Sequence, residues 1–225
     1  MRRSLYILFF ITLTACETTT ERTETDTIST TVQATNTDSE SQETLPDKIE
    51  SIEDIRAVYA AVQSKYSAGD LDSSSFTYDC YGEKSGTVSY FSENGRLRLM
   101  RHSYHEYSHF SATESYYLHD SVLYFVLYEE TSWVFDPDAA GQGGTKDDIT
   151  ESRYYFVDGS LQQCLEKKYT IRSSVKDNPQ PADVANKETG CPPAENIRQS
   201  YNLLLGYSEQ QDSIRCLEDV PQDNQ

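Results

Sequence analysis

Three nine-residue stretches of this chain repeat one pattern, and the repeat restricts the fold more than any other feature. Ser89-Tyr90-Phe91-Ser92-Glu93-Asn94-Gly95-Arg96-Leu97 aligns with Ser115-Tyr116-Tyr117-Leu118-His119-Asp120-Ser121-Val122-Leu123. Both align with Arg153-Tyr154-Tyr155-Phe156-Val157-Asp158-Gly159-Ser160-Leu161. Each unit is an aromatic pair, a turn dipeptide and then a leucine. Asn-Gly and Asp-Gly suit the positive φ angles that a type I′ turn requires, so each unit predicts a β-hairpin. Asp120-Ser121 is the weakest of the three turns. From Phe76 to Tyr169 the apolar period is two, with many aromatic and β-branched residues. The expected fold class is α+β. It is an antiparallel β-meander of about six to eight strands, with an N-terminal amphipathic helix packed on one face and a short C-terminal helix.

Two-residue turns predict the register. Residue 92 should face 97, and 90 should face 99; 118 should face 123, and 116 should face 125; 156 should face 161, and 154 should face 163. One sheet face then carries Tyr90, Leu97, Leu99, Tyr116, Leu118, Leu123, Phe125, Tyr154, Phe156, Leu161 and Leu165, which is a core. The other carries Phe91, Arg98, Tyr117, Tyr124, Val126, Tyr128, Arg153 and Tyr155. Tyrosine and arginine combine large contact area with polar tips, so Phe91, Arg98, Tyr117, Tyr124, Tyr128, Arg153 and Tyr155 form the candidate binding face. The competing expectation is that the second helix covers this face.

The first helix is read between residues 48 and 67. Ile49, Ile52, Ile55, Val58 or Tyr59, Val62 and Tyr66 form one apolar stripe, with Asp47 and Glu50 at capping-box spacing and Gly69 at the end. It is the expected cover for the core face. Asp136 to Asp148 is a Gly- and Asp-rich loop, and Asn178 to Pro193, with four prolines, is a connector. A second helix from about Ala194 to Leu205 has Ile197, Tyr201 and Leu204 as its stripe. The domain boundaries expected are 1–15, a signal peptide; 16–45, a lipidated cysteine and tether; 46–172, helix plus sheet; and 173–225, connector and disulfide-tied helix.

Glu151-Ser152-Arg153-Tyr154-Tyr155-Phe156-Val157-Asp158-Gly159-Ser160-Leu161 resembles a hairpin signature of small secreted proteins and lipoproteins of the Bacteroidota. The aromatic-Asn-Gly-x-Leu units also resemble variant MORN-type hairpins. The resemblance covers roughly 76–169 and implies the fold and an exported address. It carries no chemistry over to individual residues.

The address is read separately. Arg2-Arg3, the apolar run Leu5 to Leu13 and the small residues before Cys16 have the order of a secretory signal. Leu13-Thr14-Ala15-Cys16 resembles the bacterial lipobox, which implies diacylation of Cys16, cleavage before it and N-acylation of the new terminus. The expected location is the bacterial cell envelope, on the outer membrane, with attachment to the membrane through the acyl chains. Thr18 to Leu45 holds eleven threonines and no aromatic residue. It cannot bury enough apolar surface to offset its ordering entropy, so a disordered tether is expected. The processed chain would carry 17 basic against 37 acidic residues, a net charge of −20. That balance excludes a nucleic-acid partner, because phosphate neutralisation needs the opposite sign. A protein or glycan partner stays open.

With Cys16 lipidated, Cys80, Cys164, Cys191 and Cys216 make two disulfides in an oxidising compartment, with three connectivities. Cys80–Cys164 and Cys191–Cys216 are the expected pairs. His102, His105, His109 and His119 fall within 18 residues, but strand alternation turns His102 away from His105 and His109, and no cysteine completes a zinc set. Asp136, Asp138 and Asp147 sit at positions 1, 3 and 12 of an EF-hand-like loop as the candidate calcium ligands. Ala140 at position 5 and strand-like flanks point instead to an acidic loop without metal, and no cofactor is expected. Nucleophile elbows, zinc-protease helices and phosphate loops have no match. Glu129, Glu130 and Glu151 are the carboxylates nearest the 136–148 loop for a hydrolase reading, although neighbouring strand residues point to opposite faces. The functional expectation is a membrane-anchored, non-enzymatic envelope binding module. The alternatives are an inhibitor or immunity-type protein for a basic envelope-targeting enzyme, and that hydrolase.

Overall fold

A computed structural model describes residues 45–139 and 143–217. The expected signal segment, Cys16 and the tether up to residue 44 lie outside the described residues. So do residues 140–142 of the acidic loop, including Ala140, and the last eight residues. Helix α1 (Ile52–Ala68) precedes seven strands, β1 (Asp72–Cys80), β2 (Lys84–Glu93), β3 (Arg96–Glu106), β4 (Phe110–His119), β5 (Val122–Phe135), β6 (Thr145–Val157) and β7 (Ser160–Arg172). A short β8 (Lys187–Glu188) and helix α2 (Ala194–Leu205) follow. All eight strands form one open antiparallel sheet in chain order, a meander.

The three repeat units are the β2–β3, β4–β5 and β6–β7 hairpins. Both centre residues of each turn have positive φ, at 51° and 74° for Asn94-Gly95, 46° and 66° for Asp120-Ser121 and 48° and 70° for Asp158-Gly159. These are type I′ turns, and the pairs next to them match the expected register: Ser92↔Leu97, Leu118↔Leu123 and Phe156↔Leu161. The next pairs do not. Phe91 faces Leu99, Tyr117 faces Phe125 and Tyr155 faces Gln163. A β-bulge places one extra residue, Arg98, Tyr124 or Gln162, on each return strand, and every side chain beyond it changes face.

That correction reassigns both faces. Tyr90, Met100, Tyr116, Leu118, Val126 and Phe156 are buried beneath Ile197, Tyr201 and Leu204 of α2. Leu99, Tyr117, Tyr124, Phe125 and Tyr155 are buried beneath Ile55, Val58 and Val62 of α1. The first helix therefore covers the tyrosine face, not the face expected for it. Leu99, Phe125 and Leu165 belong to the α1 side, and Val126 and Tyr128 to the α2 side. The cap of α1 is also one turn away from Asp47. Ser51 accepts a hydrogen bond from the Asp54 N–H, and the Asp54 carboxylate accepts from Ser51 and from the Glu50 N–H. Gly69, at φ 77°, ends the helix in the left-handed conformation that a Cβ would strain.

The disulfides are Cys80–Cys216 and Cys164–Cys191. Cys80–Cys164 would have required the first and seventh strands to meet, and the open sheet keeps them apart. Instead the chain leaving α2 returns to β1, where the Ile214 N–H donates to the Thr77 carbonyl at 3.0 Å. The chain entering α2 runs beside β7, where the Thr189 N–H donates to the Cys164 carbonyl at 3.0 Å. The two bridges thus tie both ends of α2 to opposite borders of the sheet.

Two outcomes test this arrangement. Non-reducing peptide mapping should recover Cys80 with Cys216 and Cys164 with Cys191; by loop-closure entropy the bridges contribute about 5 and about 3.6 kcal/mol. Because both faces are packed, Tyr124→Ala and Phe156→Ala should each cost about 3–5 kcal/mol in urea unfolding. A neutral Tyr124→Ala would mean that α1 does not close its face.

Candidate functional site

Helix α1 lies across the strands near the hairpin turns. The His119 Nε2 is 3.2 Å from the Asp47 carbonyl ahead of the helix start. Tyr59 packs edge-on against Tyr117 at 5.0 Å and Phe125 at 5.1 Å, and Tyr66 against Phe91 at 4.9 Å. Lys65, near the other end, pairs with Glu93 beside the first turn. A helix of 17 residues is about 26 Å long, enough to bridge five or six strands but only across their width. Strands β5 to β7, of 13 or 14 residues, are about 44 Å long. Half of the α1 face is therefore left as an open shelf.

The shelf is polar. One line of directly paired residues across it reads Thr77, Thr87, Ser103, Thr113, Glu129, Glu151 and Lys167. Ser103 and Thr113 share a hydrogen bond of 3.0 Å. Two concavities meet at Glu129. The larger, about 350 Å³, has Tyr59, Gln63 and Tyr66 of α1 as one wall and Pro181 and Ala182 of the connector at its far border. Arg101, Glu129, Glu151, Arg153 and Lys167 converge in it. The smaller, about 290 Å³, is lined by Ser103, His105, Ser111, Thr113 and Thr131.

The two glutamates at the centre have opposite surroundings. Glu151 is 5% exposed and fully committed. It accepts from Arg153 at 2.9 Å and from Tyr169 at 3.4 Å, and it ion-pairs with Lys167 at 3.1 Å. Lys167 also donates to the Pro181 carbonyl at 2.8 Å, and Arg153 to the Asn186 side chain at 2.5 Å, which pins the connector over β7. Glu129 stands directly opposite Glu151 and has no hydrogen bond or salt bridge among the described residues. Its carboxyl is held above the ordinary glutamate range by burial and then by the Glu151 charge; Arg101, Arg153 and Lys167 pull the other way without cancelling them. Arg101 donates to the Tyr66 hydroxyl at 2.5 Å, which leaves most of its guanidinium fork facing the cleft.

The residues expected to form an open binding face fall elsewhere. Tyr117, Tyr124 and Tyr155 are 3%, 1% and 7% exposed under α1. Tyr117 spends its hydroxyl on Gln63 at 3.0 Å, and Phe91 packs on Tyr66. Arg98, on the first bulge, is largely buried 3.3 Å from Glu93. Tyr128 lies on the α2 side, its hydroxyl 3.3 Å from that of Tyr104. Only Tyr117 and Arg153 of the seven border the cleft. Arg101, Glu129, Glu151 and Lys167 were not in the expected face. Their signal was the polar alternation Arg101-x-Ser103-x-His105 and Ser111-x-Thr113-x-Ser115, which marks where a strand runs out of helix cover.

The acidic loop and three of the four histidines have partners. Arg172 bridges Asp136 at 2.5 Å and Asp138 at 3.2 Å, and holds the Asp136 carboxyl below its ordinary range. Asp147 is on β6, paired with Trp133 and Ile171. The described members of the expected calcium set are therefore split between an arginine clamp and a strand. His102 is buried on the α2 side, 2.9 Å from the Tyr78 hydroxyl, while His105 is on the shelf. His109 packs at a tilt against Trp133, ring centroids 4.1 Å apart, and His119 sits by the start of α1. Among the described residues no group of three or more metal-ligating side chains converges. A cavity of about 500 Å³ at the hairpin tips is apolar on its floor, with Ile49, Leu123 and Phe156, and its Asp120 is already paired with Arg96. No protein-family model, curated protein or solved structure matches the chain.

The Glu129 environment has a pH consequence. In the unfolded chain this carboxyl ionises near pH 4.3–4.5, and in the native state it ionises at higher pH. Between those values the unfolded chain has released a proton that the native chain keeps. Stability contributed at this site therefore falls as pH rises through the window, and the loss is complete above it. Glu129→Gln should leave urea stability near that of the wild type at pH 4 and raise it at pH 7.5. An equal effect at both pH values would contradict the raised native value.

Proposed function

We propose that this protein is a non-enzymatic binding module whose ligand lies on the polar shelf beside α1, with Glu129 and Arg101 as its principal contacts. The observation that carries the reading is the contrast between Glu151, whose acceptors are spent on Arg153, Lys167 and Tyr169, and Glu129, which faces the same cleft without a partner. A polar concavity with uncommitted donors and acceptors, aromatic walls and a row of hydroxyls suits a hydroxyl-rich ligand such as a glycan. The lipobox-like Leu13-Thr14-Ala15-Cys16 supports an envelope address, where a tethered domain would meet envelope glycans. Net charge −20 and two or more acyl chains suit display from a membrane without docking on anionic lipid.

One observation favours a second reading. Glu129 and Glu151 are direct cross-strand partners, and residues so placed have Cβ atoms about 4.5–5.5 Å apart, near the spacing of a glycosidase carboxyl pair. Glu151 argues against it, because Arg153, Lys167 and Tyr169 take up its oxygens and leave it 5% exposed.

A titration of the full-length chain with a panel of hexose, amino-sugar and uronate trisaccharides, followed by calorimetry, tests both. A member of the panel should bind. Arg101→Ala should weaken it about 10- to 100-fold, the loss of one hydrogen bond to a charged group. Lys187→Ala, away from the cleft, should not. Binding that survives both Arg101→Ala and Glu129→Ala would overturn the site, and cleavage of a bound trisaccharide would establish the hydrolase reading.

A further inference from the structure

We propose that the shelf selects an acidic sugar, a hydroxylated ring bearing a carboxylate, which sets its carboxylate against Arg101 and shares a ring hydroxyl with Glu129. The inference rests on the binding reading and adds the ligand's charge and its coupling to protons.

Charge sets the first condition. Arg101, Arg153 and Lys167 face the cleft against Glu129 and Glu151, so a local excess of one positive charge sits in a chain of net −18. Glu151 takes up Arg153 and Lys167, which leaves Arg101 opposite the unpaired Glu129. An ammonium group beside Glu129 would stand among three cations; a carboxylate at Arg101 meets the excess instead. The guanidinium fork fits a carboxylate by two parallel hydrogen bonds.

Shape and hydroxyls set the second. Tyr59 and Tyr66 give flat walls, and Gln63 stands between them on the helix. Beyond Glu129 the sheet offers Ser103, Ser111, Thr113 and Thr131, each able to donate or accept. A simple carboxylic acid would leave that row unused; a sugar chain would not.

Glu129 supplies the third condition. The ionisable groups around it are Glu151 and Arg153 on β6, Lys167 and Tyr169 on β7, Arg101 and His105 on β3, Tyr117 on β4, and Tyr59 and Tyr66 on α1. A ligand anion adds a second negative charge beside a carboxyl already biased toward its protonated form. Binding should therefore take up a proton, and the protonated carboxyl can donate to a ligand oxygen. Affinity should rise as pH falls from 8 to 5.

Calorimetry of the full-length chain with trigalacturonate, maltotriose and glutarate tests the proposal, each run at pH 5 and pH 8 in buffers of different ionisation enthalpy. Trigalacturonate should bind at least about tenfold more tightly than the other two, more tightly at pH 5 than at pH 8, and with proton uptake. Arg101→Ala should remove the preference for the acid. Glu129→Gln, always neutral, should bind with no pH dependence and no proton uptake, while its circular dichroism matches the wild type. Equal or tighter binding of maltotriose, lost in Arg101→Ala, would overturn the acidic ligand and keep the glycan shelf. Equal binding of glutarate would overturn the role of the hydroxyl row. No heat with any of the three would overturn this inference; the binding reading would then stand or fall on the wider sugar panel. Proton uptake that persists in Glu129→Gln would place the coupling elsewhere and overturn Glu129 as its source.

Discussion

One extra residue on the return strand of each hairpin determines which side chains meet which helix. Side chains alternate along a strand, so a bulge at Arg98, Tyr124 and Gln162 exchanges the two faces for everything beyond it. Leu99, Phe125 and Leu165 then join Tyr117 and Tyr155 under α1. Met100 and Val126 join Tyr90 and Tyr116 under α2. With the bulges removed, Leu99 and Phe125 would lie on the α2 side and Met100 and Val126 on the α1 side, so neither helix would meet the residues it now covers. The bulges recur at one position in all three units, so the sheet is built from one device used three times.

The disulfides act on the other layer. α2 lies between a proline-rich connector and a tail whose one backbone bridge among the described residues joins Tyr78 to Ile214. Twelve residues with three buried positions contribute little helix stability by themselves. Cys164–Cys191 just before the helix and Cys80–Cys216 after it hold the segment on the sheet while it buries Ile197, Tyr201 and Leu204. The α1 side has no such bridge among the described residues. It relies on Ser51 capping, a left-handed Gly69 and aromatic edge contacts.

The meander, the type I′ turns and the stripe of α2 were legible in the residues because each is a local rule. Asn-Gly needs positive φ, and Ile197, Tyr201 and Leu204 recur at helical spacing. The bulges were not legible, because Arg98, Tyr124 and Gln162 share no chemistry that sets them apart from paired strand residues. That one gap displaced the helices and hid the cleft. The disulfide partners were unreadable for a related reason: they depend on where the sheet's borders lie, which no spacing between cysteines encodes. Glu129 and Glu151 are 22 residues apart in sequence and adjacent in space because β5 and β6 pair across a long loop. Their opposition follows from register alone.

Four ionisable side chains gathered around Glu151 do not make the fold stable in any simple way. Removing charges from water costs several kcal/mol per ion, and even well-made buried pairs recover that only in part. An apolar quartet would hold β5, β6 and β7 together as well. Glu151, Arg153 and Lys167 do something an apolar set could not: they reach Asn186 and Pro181 and hold the connector as the far border of the cleft. With those cations spent, Glu129 is left beside a carboxylate on the half-open shelf. A protein selected only for packing would place threonine or leucine there, as it does at Thr113 and Leu127 on the same face. A glutamate kept without a hydrogen bond or salt bridge among the described residues, at a cost in stability above its own titration range, is the feature of this domain that packing does not explain.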